Sequence, residues 1–249
     1  MTIAIERLIR RLMAIGHLGS ADKLALQSLP VHYASYQRQA VVIAEGTTSD
    51  TACLVVDGYV HRSKLLPNGN RQIFSLHMSG DIPDLHGLHL KTMDHSLVAT
   101  SACKVAFIRH SAIRQLLDVS DSLTALLWRD SILDAAAFRA WMLMIGQAEA
   151  ASRMAHLFCE LYVRADAVGL VTDNSFPLPV SQSDLADMLG ISTVHANRTL
   201  QDIRAAGLLN YERGVLTILR WSALQELAQF DPRYLHLREE VEARVLAET

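Results

Sequence analysis

The spacing of apolar positions changes along the chain, and each change marks a different kind of element. Residues 2–15 place Ile3, Leu8, Leu12 and Ile15 at near-helical intervals, which predicts a short amphipathic helix. Ser20 suits the N-cap of a second helix that must end before Pro30. From Val31 to Ile108 the pattern shortens to strand-like runs separated by turn residues. Val41 to Ile43 stops at Gly46, Cys53 to Val56 meets Asp57-Gly58, Tyr59 to Leu66 meets Pro67-Asn68-Gly69-Asn70, and Arg71 to Leu76 follows. The segment from Gly80-Asp81 to His95 is poor in strand signals, and Val98 to Ile108 reads as a closing pair. Many short strands with tight turns predict an antiparallel barrel or jelly roll.

Residues 120–145 then run without Gly or Pro. Positions 123, 126, 130, 133, 137, 140 and 144 step by threes and fours, a heptad stripe with Asp130 as its polar member. A long helix behind a compact β-domain makes a natural dimer seam, so Leu123, Leu126, Asp130, Leu133, Ala137 and Met144 are the expected interface. Gly146 reads as a break, with a further helix over 147–166. Gly169 to Val180 reads as a small hairpin turning at Asp173-Asn174, with Pro177 and Pro179 suited only to an edge.

Beyond it the local signals are dense. Ser181 with Asp184 three residues on forms a capping-box pattern ahead of a helix over 182–189. Ala186 is small enough for a close helix crossing, and Gly190 supplies a left-handed turn. Ser192 caps a second helix over 193–206, ended by Gly207, and residues 211–218 read as a wing. Helix, glycine turn, helix and wing together predict a DNA-reading motif. Its candidate contacts are Ser192, Thr193, His195, Asn197, Arg198, Gln201 and, on the wing, Arg213, while Ala196, Leu200 and Ile203 face inward. Over 195–220 the arginines at 198, 204, 213 and 220 outnumber the acids Asp202 and Glu212.

That local excess matters because the whole chain of 249 residues carries a formal net charge of −3, so any DNA affinity must come from a patch. Half the residues are hydrophobic and a fifth are charged, as in an ordinary globular protein. Cys53, Cys103 and Cys159 are widely spaced and form no zinc motif, which fits buried thiols in a reducing cytoplasm. Glu6, Arg7, Arg10 and Arg11 interrupt the N-terminal apolar stretch, so neither a signal peptide nor a membrane association is expected. No constellation suggests catalysis.

SQSDLADMLGISTVHANRTLQDIRAAGLL resembles the helix-turn-helix signature of the Crp/Fnr family, with Arg198 at its base-contacting arginine. The likeness covers nearly the whole chain. It implies an α+β architecture: an N-terminal double-stranded β-helix (jelly roll) of cyclic-nucleotide-binding type over 1–118, and a dimerisation helix over 119–146. A winged helix-turn-helix over 147–229 and a helical tail over 230–249 would complete it. It also implies a homodimer on double-stranded DNA, with RNA polymerase as a partner. The nucleotide cassette departs from the family pattern in SGDIPDLHGLHLKTMDHSLVA. Leu85 stands where a ribose-binding glutamate is expected, and His95-Ser96-Leu97 replaces Arg-Ser-Ala. Leucine accepts nothing from a hydroxyl and neutral histidine is a poor phosphate partner, so cyclic AMP is not the expected ligand. Leu85, His86, His95 and Ser96 remain the candidate effector positions, with the effector itself open. His77, His86, His89 and His95, among Asp81, Asp84 and Asp94, show no HxH or HxxxH pair, so no metal or other cofactor is expected. Trp128, Phe138 and Trp141 read as packing. Two rivals are a cupin-like metal enzyme and a sensor whose helix-turn-helix binds protein.

Overall fold

The computed structural model describes residues 3–247; the outermost positions of the first and last expected segments, 1–2 and 248–249, lie outside the described residues. The chain divides into two compact units, residues 1–134 and 135–249.

In the first unit, α1 (Ile3–Ile15) and α2 (Ser20–Gln27) precede the strands. Gly19, not Ser20, holds the N-cap position of α2, and no side chain caps it. Seven strands follow: β1 (Val31–Tyr36), β2 (Val41–Ile43), β3 (Thr51–Asp57), β4 (Val60–Leu65), β5 (Arg71–His77), β6 (Ser96–Ala99) and β7 (Cys103–Arg109). They form two antiparallel sheets, ordered β1-β7-β3 and β2-β6-β4-β5. The turn at 66–70 closes the β4–β5 hairpin, with Leu65 opposite Arg71 and Gly69 at φ +84°. Asp57-Gly58 also turns the chain, but from one sheet to the other: the backbone at Ala102 and Cys103 leaves no room for a Cβ at Gly58, whose φ is +75°. The expected closing pair over 98–108 is corrected likewise, since β6 and β7 belong to different sheets. Alternation within strands cannot reveal which sheet a strand joins.

Both sheets contribute to one core, with Ile43, Val60, Leu97 and Ala99 from one and Cys53, Val55, Cys103 and Val105 from the other. β3 is buried on both faces from Ala52 to Val56 because α1 packs beside it. A 3-10 turn, Leu85–Leu88, occupies the strand-poor segment. α3 (His110–Asp118) follows β7, and α4 (Asp121–Gln147) continues past Gly146, which is exposed inside the helix and does not break it.

The second unit contains the end of α4, then α5 (Ala150–Ala167), β8 (Ser175–Pro177), α6 (Gln182–Leu189), α7 (Thr193–Ala205), β9 (Leu209–Glu212), β10 (Val215–Ile218), α8 (Trp221–Ala228) and α9 (Glu239–Ala247). Asp173 and Asn174 take positive φ at the turn before β8, and β8 is the edge of a sheet ordered β8-β10-β9. At that edge Pro177 costs no interior ladder bond. α5 is the hub of the unit: Glu160 is fully buried and accepts hydrogen bonds from Trp141 Nε1 and Tyr234 Oη, both at 2.8 Å. Among the described residues no helix is long and apolar enough to cross a membrane.

Candidate nucleic-acid interface

Local chemistry builds the α6–α7 pair. The Ser181 hydroxyl accepts from Asp184 N at 3.1 Å while the Asp184 carboxylate accepts from Ser181 N at 3.1 Å, so two orphan donors are satisfied reciprocally. Gly190 ends α6 in the left-handed region at φ 66° and ψ 36°, and Ile191 N donates back to Ala186 O at 3.1 Å. Ala186 and Leu185 are buried at the crossing with α7. Ser192 then caps α7, its hydroxyl accepting from His195 N at 3.2 Å.

α7 buries Ala196, Thr199, Leu200 and Ile203 and turns its other side outward. Ser192, Thr193, Arg198 and Gln201 are exposed, and His195 and Asn197 are half-buried. Among the described residues nothing pairs with the Arg198 guanidinium, so its five donors are available for a fork onto a base edge. Val194 was absent from the sequence-derived contacts, yet it is 82% exposed in the first turn of this helix. An apolar side chain held in water between polar neighbours is the signal that would have found it, because thymine presents a methyl group in the major groove.

The four local arginines divide. Arg204 is tied to Glu212 at 2.7 Å and reaches the Gln201 amide oxygen at 3.4 Å. Arg220 donates to the carbonyls of Gly207 and Ala206, closing the C-terminus of α7. Arg198 and Arg213 stay unpaired among the described residues. Arg213 and Gly214 form the two-residue tip between β9 and β10, both at positive φ (50° and 75°), which projects the Arg213 side chain from the wing.

In the first unit two of the candidate effector positions, His86 and His95, come together. Leu85 is buried in the 3-10 turn, the rings of His86 and His95 lie 5.3 Å apart, and the Ser96 hydroxyl accepts from Glu45 N at 3.1 Å. Beside them is a cavity of about 70 Å³ lined by Arg11, Arg62, His77, Asp81, Asp130 and Asp134, among others. Its charges are paired within the unit. Arg11 meets Asp81 at 3.0 Å and Asp130 at 2.9 Å, and Arg62 meets Asp134 at 2.5 Å and the Pro83 carbonyl. Burial, with Arg62 adding to it, holds the His77 and His86 imidazoles down to about 4.

The same packing turns four positions of the expected dimer seam inward. Leu123, Leu126, Asp130 and Leu133 are buried in their own chain, with Asp130 committed to Arg11, while Ala137 and Met144 are half-buried. The stripe satisfies the protomer's own fold. The opposite side of α4 instead exposes Trp128, Ile132, Phe138, Met142 and Leu143. Trp128 and Phe138, read as packing residues, are thus corrected to exposed positions; Trp141 is buried as expected.

Residues 33–120 match the cyclic nucleotide-binding domain family, and residues 152–227 match the Crp-like helix-turn-helix domain family. The chain is 24% identical over 195 residues to the transcriptional activator protein FnrL of Cereibacter sphaeroides, covering 77% of this chain and 78% of that one. It is 25% identical over 200 residues to the nitrogen fixation regulation protein FixK of Bradyrhizobium diazoefficiens, covering 80% and 81%. Its fold is similar to the solved structure of FixK2 from Bradyrhizobium japonicum, with a TM-score of 0.72, 23% identity, and coverage of 80% of this chain and 98% of that one.

Proposed function

Because the chain belongs to the Crp/Fnr family of DNA-binding transcription regulators, we propose that it acts as a cytoplasmic homodimer reading a two-fold-related operator, without cyclic AMP as its signal. The single observation that carries this reading is the α7 face, where an unpaired Arg198 stands beside exposed Thr193, Val194 and Gln201. Arg198 specifies a guanine, Val194 packs on a thymine methyl, and Arg213 takes a phosphate on the flank. Two such helices need half-sites about one helical turn apart. The outward stripe of α4 supplies the seam that sets this spacing. Relatives named as transcriptional activators support RNA polymerase as the protein partner. Neither the cupin-like reading nor the protein-binding reading draws support from these relatives.

The test begins with sequencing the genomic DNA that co-purifies with the protein. Wild type, Arg198→Ala and Val194→Ala are then titrated against the recovered operator, its single-base variants and random DNA. Arg198→Ala is expected to cost about 1–3 kcal/mol per half-site and to relax preference at one base pair. Val194→Ala is expected to reduce discrimination at a neighbouring thymine. Equal loss on every sequence would show that these residues only position the helix.

A further inference from the structure

The residues around the altered cassette carry chemistry that reading DNA does not use. His86 stands in the 3-10 turn Leu85–Leu88, and Asp94 and His95 stand eight and nine residues on, immediately before β6. Folding returns the intervening segment on itself, so that one donor atom from each of the three lies within 4.8 Å of the other two. His95 is 7% exposed and its Nδ1 lies 2.7 Å from Asp94 Oδ1. Its Nε2 is buried without a hydrogen-bond partner, and so is His86 Nε2. Two buried imidazole nitrogens with no partner are costly unless something occupies them.

From this geometry we infer that His86, Asp94 and His95 form a binding site for a divalent transition-metal ion, with zinc(II) as the ion this donor set fits best. Two imidazoles and a carboxylate suit a borderline cation in a tetrahedral site whose fourth position is left to water. Donors at zinc-ligand distance from one ion sit about 3.4 Å apart, and the three groups, within 4.8 Å of one another, are near enough to share one ion. The nearby cations are already held, Arg62 by Asp134 and Lys64 by Glu45 at 2.7 Å. Asp94 is exposed and His86 half-exposed, which leaves the ion a path from solvent. An ion bound here would join the 3-10 turn to the start of β6, in the segment where the family likeness places a nucleotide. The site stands independently of the DNA reading.

The experiment uses full-length, untagged, metal-free protein. Zinc(II) is titrated in competition with a chromophoric chelator, and cobalt(II) is titrated while its visible absorption is followed. The expected result is one ion per chain, with the intense ligand-field bands of tetrahedral cobalt. His86→Ala and Asp94→Asn are each expected to weaken binding on the order of tenfold or more, and His86→Ala with His95→Asn to abolish the cobalt bands. His89→Ala, an exposed neighbour, is expected to leave both unchanged. Circular dichroism identifies any variant that fails to fold; if the double variant does, His86→Ala alone decides. Absence of the bands, or zinc affinity unchanged by His86→Ala, overturns the site whatever the outcome on DNA.

Discussion

Placing two aspartates on the outward side of α4, by Trp128→Asp with Ile132→Asp, is expected to convert the proposed dimer to a folded monomer. Counted at 100° per residue, Trp128, Ile132, Phe138, Met142 and Leu143 fall on one stripe, opposite Leu126 and Asp130. Their exposures run from 47% to 65%. Taking about 200 Å² for a large apolar side chain, the stripe offers roughly 600 Å² per protomer. Burying it in two copies is worth about 30 kcal/mol gross at ~25 cal/mol/Å². Association itself costs about 4–15 kcal/mol, and immobilising ten side chains costs about 10 more, so a surplus of roughly 5–16 kcal/mol remains. Trp128, at 65%, and Ile132, at 48%, account for about 230 Å² per protomer, or roughly 11 kcal/mol per dimer. That removes most or all of the surplus, and repulsion among four carboxylates adds to the loss. Light scattering coupled to size exclusion, repeated over a wide concentration range, is expected to show a monomer with an unchanged circular dichroism spectrum. Leu126→Asp is the contrasting variant. Leu126 is buried within its own unit, so it is expected to lower the melting temperature instead. If Trp128→Asp with Ile132→Asp stays dimeric, or if Leu126→Asp alone dissociates a stable protomer, the seam lies where the leucine heptad pointed and the reasoning fails.

Arg213→Ala removes the proposed phosphate contact of each protomer, so the slope of log affinity against log salt is expected to flatten by about 1.8 for the proposed dimer, equally on operator and random DNA. A loss confined to one sequence would make Arg213 a base reader. His77 is buried and its folded pKa lies at about 4 against an ordinary 6.5, because burial, and then Arg62, disfavours the charged ring. The fold therefore holds the neutral form; this contribution is fully present above pH 6.5 and is lost as pH falls toward 4. It amounts to about 3 kcal/mol at most. His77→Gln is expected to flatten the dependence of the urea midpoint on pH across that window, and an unchanged slope would refute the assignment. Cyclic AMP is expected to give no heat in isothermal titration, since Leu85 and His95 replace a carboxylate and a guanidinium; micromolar binding would contradict this.

The helix-turn-helix was legible nearly residue by residue because its determinants are local. A capping box lies within four residues, a left-handed glycine ends one helix, and a serine caps the next; none of them depends on what packs from afar. The order of elements was legible for a related reason, since the period of apolar positions follows from backbone geometry alone. Tertiary structure decided the rest. A leucine stripe on α4 has the same spacing whether it meets a second chain or its own unit, and only the tertiary structure pairs its Asp130 with Arg11 of the same unit. Four arginines look equivalent in sequence until Glu212 takes Arg204 and the carbonyls at the end of α7 take Arg220. His86 and His95 match no ligand motif because nine residues separate them along the chain. The fold of the intervening segment brings their rings to 5.3 Å, and such a distance between separated segments is set by how they pack, which no local pattern encodes.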